Sequence, residues 1–391
     1  MLNTGPFGRV SSYTLSVIPL FLLMGQFATR AGLGHSLFEA ARAWVGHYRG
    51  GLAISTVCGC AAFGSVCGSS IATGATMASV ALPEMKRSGY SGALSTGTVA
   101  AGGTLGILIP PSIVLMIYAV ITEQSVGKLF LAALIPGIAA TIGYAVAIGI
   151  HVRLKPMSGP AARPVPVGER IRRLRAVWPL AVIFLSVIGG IYLGVFTPTE
   201  AAAIGASATC ALAIASGRMN RAAFASSLLE TAKATAMIFL ILISAEIYNG
   251  FLALSQVTAG LANLLADSGL SPMSILIGIL LVYLLLGCVM DSLAMILLTV
   301  PVFLPLLIGL DFGFAEEEIA IWFGILVLIV VEIGLITPPI GLNVYVINTL
   351  DGETTLSDSF KGTVPFLVSG VILLAMILSL PAMCLWLPGR T

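Results

Sequence analysis

Charge is the scarcest property of this sequence. Of 391 residues only 9% are Asp, Glu, Lys or Arg, whereas 58% are hydrophobic. A soluble domain carries about 25% charged residues. No water-facing surface can be built from this chain, so its solvent is lipid and its setting a bilayer. Histidine is nearly missing too, with only His35, His47 and His151. There is no H-E-x-x-H helix, no phosphate-cradling glycine loop and no nucleophile elbow. Those absences leave no catalytic group and no nucleotide site, so any transport must be driven by something other than ATP. The net charge of +2, without a basic run interleaved with aromatics, gives no footprint for nucleic acid. The six cysteines sit in apolar or small-residue stretches; the Cys58-x-Cys60 pair has no His or Cys partner at metal-ligand spacing and reads as packing. Residues 1–10 lack the basic start and cleavage site of a signal peptide.

What the chain does have is apolar runs, near 13–28, 51–83, 92–121, 129–150, 177–196, 200–215, 233–254, 272–309, 319–348 and 363–387. One membrane span needs about 20 residues, so 51–83 and 272–309 are too long to be single spans. The distribution of Lys and Arg orients the rest. Seven of them lie between Arg153 and Arg175 against one acid, Glu169, which places the Pro-rich linker 152–176 in the cytoplasm. Walking back from it puts Arg42, Arg49, Lys86 and Arg87 inside as well, so both ends of 51–83 are on one side and the run is a re-entrant hairpin. Between Lys233 and Lys361 there is no Lys or Arg, and Asp267, Asp311 and Glu316 to Glu318 flank 272–309. That run therefore reads as a second hairpin entering from the outside. The fold expected is an all-α polytopic membrane protein with two re-entrant helical hairpins and two broken helices in an inverted repeat.

Two sequence matches support the repeat. Gly68-Ser69-Ser70-Ile71-Ala72 resembles Met290-Asp291-Ser292-Leu293-Ala294, with Ser70 and Ser292 222 residues apart. Gly106 to Pro111 resembles Gly334 to Pro339, with Pro110 and Pro338 228 residues apart. Pro-Pro inside an apolar run removes two donors and breaks the helix, and in lipid the freed carbonyls must be buried or bound. Carbonyls and the hydroxyls of the Gly/Ser tips suit a hard cation such as sodium. Helix starts after each break point N–H groups at a carboxylate. The plainer alternative is that Pro-Pro kinks a helix and Gly-Ser-Ser packs closely. Acids inside spans are functional candidates: Asp291 for ion binding or tip structure, Glu332 for loop support or ligation, Glu246 for packing or a pathway. Glu200, after Thr197-Pro198-Thr199, is expected to cap a helix.

The stretches Phe63 to Thr73 (FGSVCGSSIAT), Ala81 to Arg87, Gly102 to Ser112 (GGTLGILIPPS), Thr197 to Ala202 and Gly334 to Asn343 (GLITPPIGLN) resemble the large membrane subunit of tripartite ATP-independent periplasmic (TRAP) transporters. The resemblance runs from about residue 15 to 387. It implies an elevator-type transporter of the ion transporter superfamily in the bacterial inner membrane, with no cofactor and with sodium ions as coupling ions. It implies import of an organic acid, a C4-dicarboxylate or related carboxylate. The partners implied are a periplasmic substrate-binding protein and a small four-helix membrane subunit. It also implies a further apolar helix before residue 13, for which this sequence shows no counterpart.

The domain division expected is 1–50 scaffold, 51–121 first hairpin and broken helix, 122–254 scaffold with the linker, 255–348 second hairpin and broken helix, and 349–391 a scaffold helix. Carried over by position, one sodium site would use Gly68, Ser69 and Ser70 with backbone from Gly103 to Ile109. The other would use Asp291 and Ser292 with backbone from Gly334 to Thr337. Substrate would lie near Ser70, Thr73, Pro111, Ser112, Thr337 and Asn343. A carrier of the same superfamily needing no binding protein is the alternative within transport, and a channel is the alternative outside it.

Overall fold

The computed structural model describes residues 13–256, 260 and 269–390, and among them every regular element is a helix. Residues 92–122 (counting across a break), Val126–Leu154, Pro198–Ala215, Arg221–Leu252 and Leu356–Ser379 are long and apolar enough to cross a membrane. Helix α1 (Val17–Arg30) bends by 62° into α2 (Leu33–Val45), an amphipathic helix that the apolar runs did not reveal.

The first long run folds as α3 (Gly51–Cys67) and α4 (Ser70–Arg87). Gly68 ends α3 at φ 64, where a side chain would be strained, and extended Ser69 caps α4 by accepting from the N–H of Ala72 at 3.4 Å. Both ends of this pair are fastened to the linker. Gly50 N–H donates to the Gly159 carbonyl at 2.9 Å and Ser91 N–H to that of Ser158 at 3.0 Å. Both ends of the pair therefore lie beside the linker.

Next come α5 (Gly92–Leu108) and α6 (Ile113–Thr122), interrupted at a cis Pro110-Pro111 bond, then the long α7 (Val126–Leu154). The linker holds a short helix, α8 (Val167–Arg175), joined at 44° to α9 (Trp178–Tyr192). Helix α10 (Pro198–Ala215) opens on a capping box between Thr197 and Glu200, as expected for Glu200. Helix α11 (Arg221–Ser255) is 35 residues long.

The second long run folds as α12 (Pro272–Gly287) and α13 (Ser292–Ile308) with its tip at 288–291. Helices α14 (Glu316–Gly334) and α15 (Leu342–Asp351) follow, broken at a second cis bond, Pro338-Pro339. The chain ends in α16 (Leu356–Ser379) and the short α17 (Ala382–Leu385).

Small residues set the packing, as in lipid-embedded bundles where backbones must approach closely. A side chain at Gly64 of α3 would collide with the Gly106 backbone of α5, and one at Gly334 of α14 would sit 2.6 Å from the Gly287 carbonyl carbon of α12. The two halves interlock reciprocally. Helix α4 packs on α15, and α13 packs on α6, so each hairpin's second arm leans on the half-helix that follows the other half's break. Helices α7 and α16 pack around α3, α5 and α14, while α10 and α11 each pack on α1 and α9 packs on α10. The residues expected as scaffold, 122–254 and 349–391, thus include two helices, α7 and α16, seated against the hairpins and broken helices.

Candidate functional site

The first tip rests on the first break. At Gly68 a side chain would lie 3.3 Å from the Pro111 carbonyl oxygen and 3.4 Å from the Ile113 nitrogen. Ser112, fully buried, caps α6 by accepting from Leu115 N–H at 3.3 Å. Ser70 is 3% exposed and Thr73 is buried, its hydroxyl beside the Cys67 thiol and without a hydrogen-bond partner of normal geometry among the described residues. Gly103 and Gly106 bring α5 against this tip: a side chain at Gly103 would stand 2.9 Å from the Ser70 carbonyl oxygen, and one at Gly106 3.0 Å from that of Ser69.

Pro110 and Pro111 have no N–H, so the carbonyls of Gly106 and Ile107 lose their helical donors. Among the described residues no loop, cap or side-chain hydrogen bond replaces them, nor does any reach the Leu108 carbonyl. Three oxygens at 106–108 are thus without such partners, inside the stretch from Gly103 to Ile109 that the sequence marked; Gly103 and Gly106 press on the Gly-Ser-Ser tip, while the Leu108 carbonyl lies against Gly137 of α7.

The second tip meets the second break differently. Asp291 is half-buried and caps α13, its Oδ2 accepting from Leu293 N–H at 3.0 Å, and Ser292 is 3% exposed. Gly341, at φ 55, donates its N–H to the Cys288 carbonyl at 3.3 Å and ties the break to the tip. Here the carbonyls orphaned by Pro338 and Pro339 are re-satisfied. Thr337 N–H donates to Gly334 at 2.9 Å, Asn343 N–H to Leu335 at 3.1 Å, and the Thr363 hydroxyl to Ile336 at 3.2 Å. The Thr337 hydroxyl is also committed, donating to the Ile333 carbonyl at 2.6 Å.

Asn343 does more than line a site. Its Nδ2 donates to the Ala100 carbonyl of α5 at 3.4 Å and fastens the second break to the first half, while its buried Oδ1 has no partner among the described residues. Glu332 is 4% exposed with neither carboxylate oxygen hydrogen-bonded among the described residues; Asp291 and the neutral phenol of Tyr144 are within electrostatic reach of it, and the Tyr144 hydroxyl lies 3.3 Å from that of Thr104. The Thr104–Tyr144 pair was not legible in sequence, since Tyr144 lies outside both tips and both breaks. The break-1 segment 110–112 is buried, whereas Pro338, Pro339 and Ile340 are exposed.

On the linker's side a cavity of about 490 Å³ opens between α4, the start of α5 and the end of α15, lined by Lys86, Tyr90, Ser91, Asp351 and Thr354 among others. A second of about 330 Å³ continues it along α4 past Ser79 and Pro83, sharing Leu82, Lys86 and Asp351. Lys86 pairs with Glu353 at its rim. Glu246 and Asn249 of α11 face a smaller cavity of about 160 Å³ against Ile121, Leu297 and Pro301.

The sequence profile of the tripartite ATP-independent periplasmic transporter DctM component matches residues 2–383. A C4-dicarboxylate TRAP transporter large permease from Pseudomonas aeruginosa is 40% identical over 379 residues, 96% of this chain and 86% of that protein. An ectoine large permease from Halomonas elongata is 30% identical over 383 residues, 96% and 86% of the two chains. A sialic acid large permease from Vibrio cholerae is 30% identical over 385 residues, 97% and 87%. In shape, the chain is similar to the YdaH transporter of Alcanivorax borkumensis, with a TM-score of 0.72 at 14% identity over 98% of this chain and 89% of that one. A profile covering nearly the whole chain, three large-permease relatives at 30–40% identity, and a multi-pass helical fold lead to one statement: the chain belongs to the DctM component family of TRAP transporters, as a large permease subunit.

Proposed function

We propose that this permease imports an organic acid across the bacterial inner membrane in symport with sodium, receiving it from a periplasmic binding protein and working with a small membrane subunit. The observation that carries the reading is the first tip and break. Carbonyls at 106–108 lack hydrogen-bond partners among the described residues, in the segment whose Gly103 and Gly106 press on the hydroxyl-bearing tip Gly68-Ser69-Ser70, and oxygens of these kinds suit a hard cation. The second site would be Asp291 and Ser292 with the backbone of 334–337, where the carbonyls of 334, 335 and 336 each keep one lone pair beyond the hydrogen bond they accept. Substrate carboxylate would lie between the tips near Ser70, Thr73, Pro111, Ser112, Thr337 and Asn343, against the starts of α6 and α15.

The glycine contacts support an inverted repeat: Gly64 and Gly287 are 223 residues apart and Gly106 and Gly334 are 228 apart, close to the offsets of the serines and prolines. Elevator motion follows from this reading. The hairpins, the broken helices and the two helices seated on them, α7 and α16, would travel as one body against a frame of α1, α9, α10 and α11. The cavities beside Lys86 would then be the cytoplasmic way out. Other relatives are named for ectoine and sialic acid; the dicarboxylate reading rests on the 40% identity to the Pseudomonas permease.

The test is uptake into proteoliposomes holding the permease, the small subunit and the binding protein. Accumulation should follow an imposed inward sodium gradient. Uptake that persists at zero sodium under a proton gradient alone would overturn the coupling.

A further inference from the structure

Helix α8 is amphipathic in the wrong sense for a helix lying on a protein in water. Val167, Ile171, Leu174 and Trp178 fall on one stripe at spacings of four, three and four residues, and they are 65%, 42%, 53% and 63% exposed. The charged side of the helix is the one turned towards the protein. Arg173 pairs with Glu39 of α2 and with Glu169 at 2.6 Å; Glu39 pairs with Arg42 at 3.1 Å, and Arg42 with Glu84 of hairpin arm α4 at 2.7 Å. These side chains are between 22% and 33% exposed. A helix that turns ion pairs inward and an aliphatic–tryptophan stripe outward has an apolar medium on its outer side.

Two further observations name that medium. The stripe runs directly into the membrane-length pair formed with α9, bent by 44° at the joint, so its outer side is continuous with the lipid-facing surface of a span. The stripe is also flanked by cations: Arg172, 78% exposed and no nearer than 3.6 Å to Glu169, and the exposed Arg175. Arg153, Lys155 and Arg163 are exposed in the same linker. Trp at the headgroup level with arginines beside it is the pattern of an interfacial helix on an anionic leaflet. A protein partner would have to bury these arginines against acids of its own.

We propose that α8 lies in the headgroup–acyl boundary on the linker's side of the bilayer, with its stripe in the acyl zone and Arg172 and Arg175 holding anionic phospholipid headgroups. Through Arg173 and Glu39 the same helix is tied to α2, and through Arg42 and Glu84 that chain of ion pairs reaches the first hairpin.

The experiment places a photoreactive p-benzoylphenylalanine at Ile171 or Leu174 of the full chain. The protein is reconstituted with its small membrane subunit in vesicles of equal phosphatidylglycerol and phosphatidylcholine. Irradiation should give phospholipid adducts at both positions, enriched in phosphatidylglycerol. An arginine at an anionic surface is worth about five-fold, and Arg172→Gln with Arg175→Gln should abolish the enrichment. Both arginines are exposed, so folding is not at stake, and monodisperse elution confirms it. Adducts to the small subunit, no adduct at all, or a lipid adduct without phosphatidylglycerol preference would each overturn the proposal. None of these outcomes depends on transport, so the proposal stands or falls apart from the sodium reading.

Discussion

At the scale of single residues, the tips carry the most direct test. Ser70 and Ser292 are each 3% exposed at the head of the second hairpin arm. If each hydroxyl ligates an ion, Ser70→Ala and Ser292→Ala should each raise the sodium concentration needed for half-maximal uptake. A lost ligand or hydrogen bond of about 1–3 kcal/mol corresponds to roughly five- to a hundred-fold. Unchanged sodium dependence in both variants would assign the serines to packing. The residues named from sequence fall in two groups, one at each tip and break, with roles that differ. Gly68 and Ser112 form the contact of tip and break, Thr337 spends its hydroxyl on Ile333, and Asn343 reaches across to Ala100. The Thr337 bond is local, four residues back along the chain, whereas the Asn343 bond could not be read from spacing, because its acceptor is set by how the helices lie.

At the scale of elements, the hairpin packing depends on glycine contacts that admit no side chain. In Gly106→Val the new Cβ would lie 2.5 Å from the Thr73 hydroxyl and 3.0 Å from the Ser69 carbonyl oxygen, pushing α5 away from the tip. Overpacking of this kind costs about 1–3 kcal/mol. A lower melting temperature in detergent, together with a weakened sodium response, is the expected outcome. Gly278→Ala in α12 is the control: nothing lies within 4 Å of its Cβ position, and the change should stay within about 1 kcal/mol. If the two variants melt alike, the close approach of α5 to the tip does not set stability. The hairpins, the breaks and the capping box were legible because glycine, proline, serine and threonine act on their own local backbone. Helices α2 and α8 were not, since an amphipathic helix of 13 or 9 residues leaves no long apolar run.

At the scale of the whole molecule, two predictions follow from orientation and motion. In spheroplasts, single cysteines in loop 311–318 should react with an impermeant reagent and those in linker 152–176 should not; labelling of the linker would reverse the orientation. For motion, Leu242 of α11 and Leu297 of α13 line one cavity where the frame meets the second hairpin. Leu242→Cys with Leu297→Cys, bridged by a reducible reagent, should stop uptake, and reduction should restore it. Bridged protein that transports at the normal rate would mean that α11 and α13 need not slide, and would favour a local gate over an elevator.

Local chemistry along the chain is enough to set lipid as the solvent, where the two long apolar runs turn back, and where two helices must break. Each of these follows from run length, from the placing of Lys and Arg, or from a residue's own backbone. Only the tertiary structure decided which freed carbonyls stay bare. The two Pro-Pro breaks are nearly identical in sequence. Yet Asn343 and Thr363 close the second, and no hydrogen bond among the described residues reaches the carbonyls of 106–108 in the first. It also decided that α7 and α16 sit with the hairpins, and that α8 turns its charges inward. Those outcomes rest on groups far apart in the chain, such as Asn343 and Ala100 at a separation of 243 residues. Such partners meet only when the helices have packed, because a buried polar group takes whichever donor or acceptor the packing brings within reach.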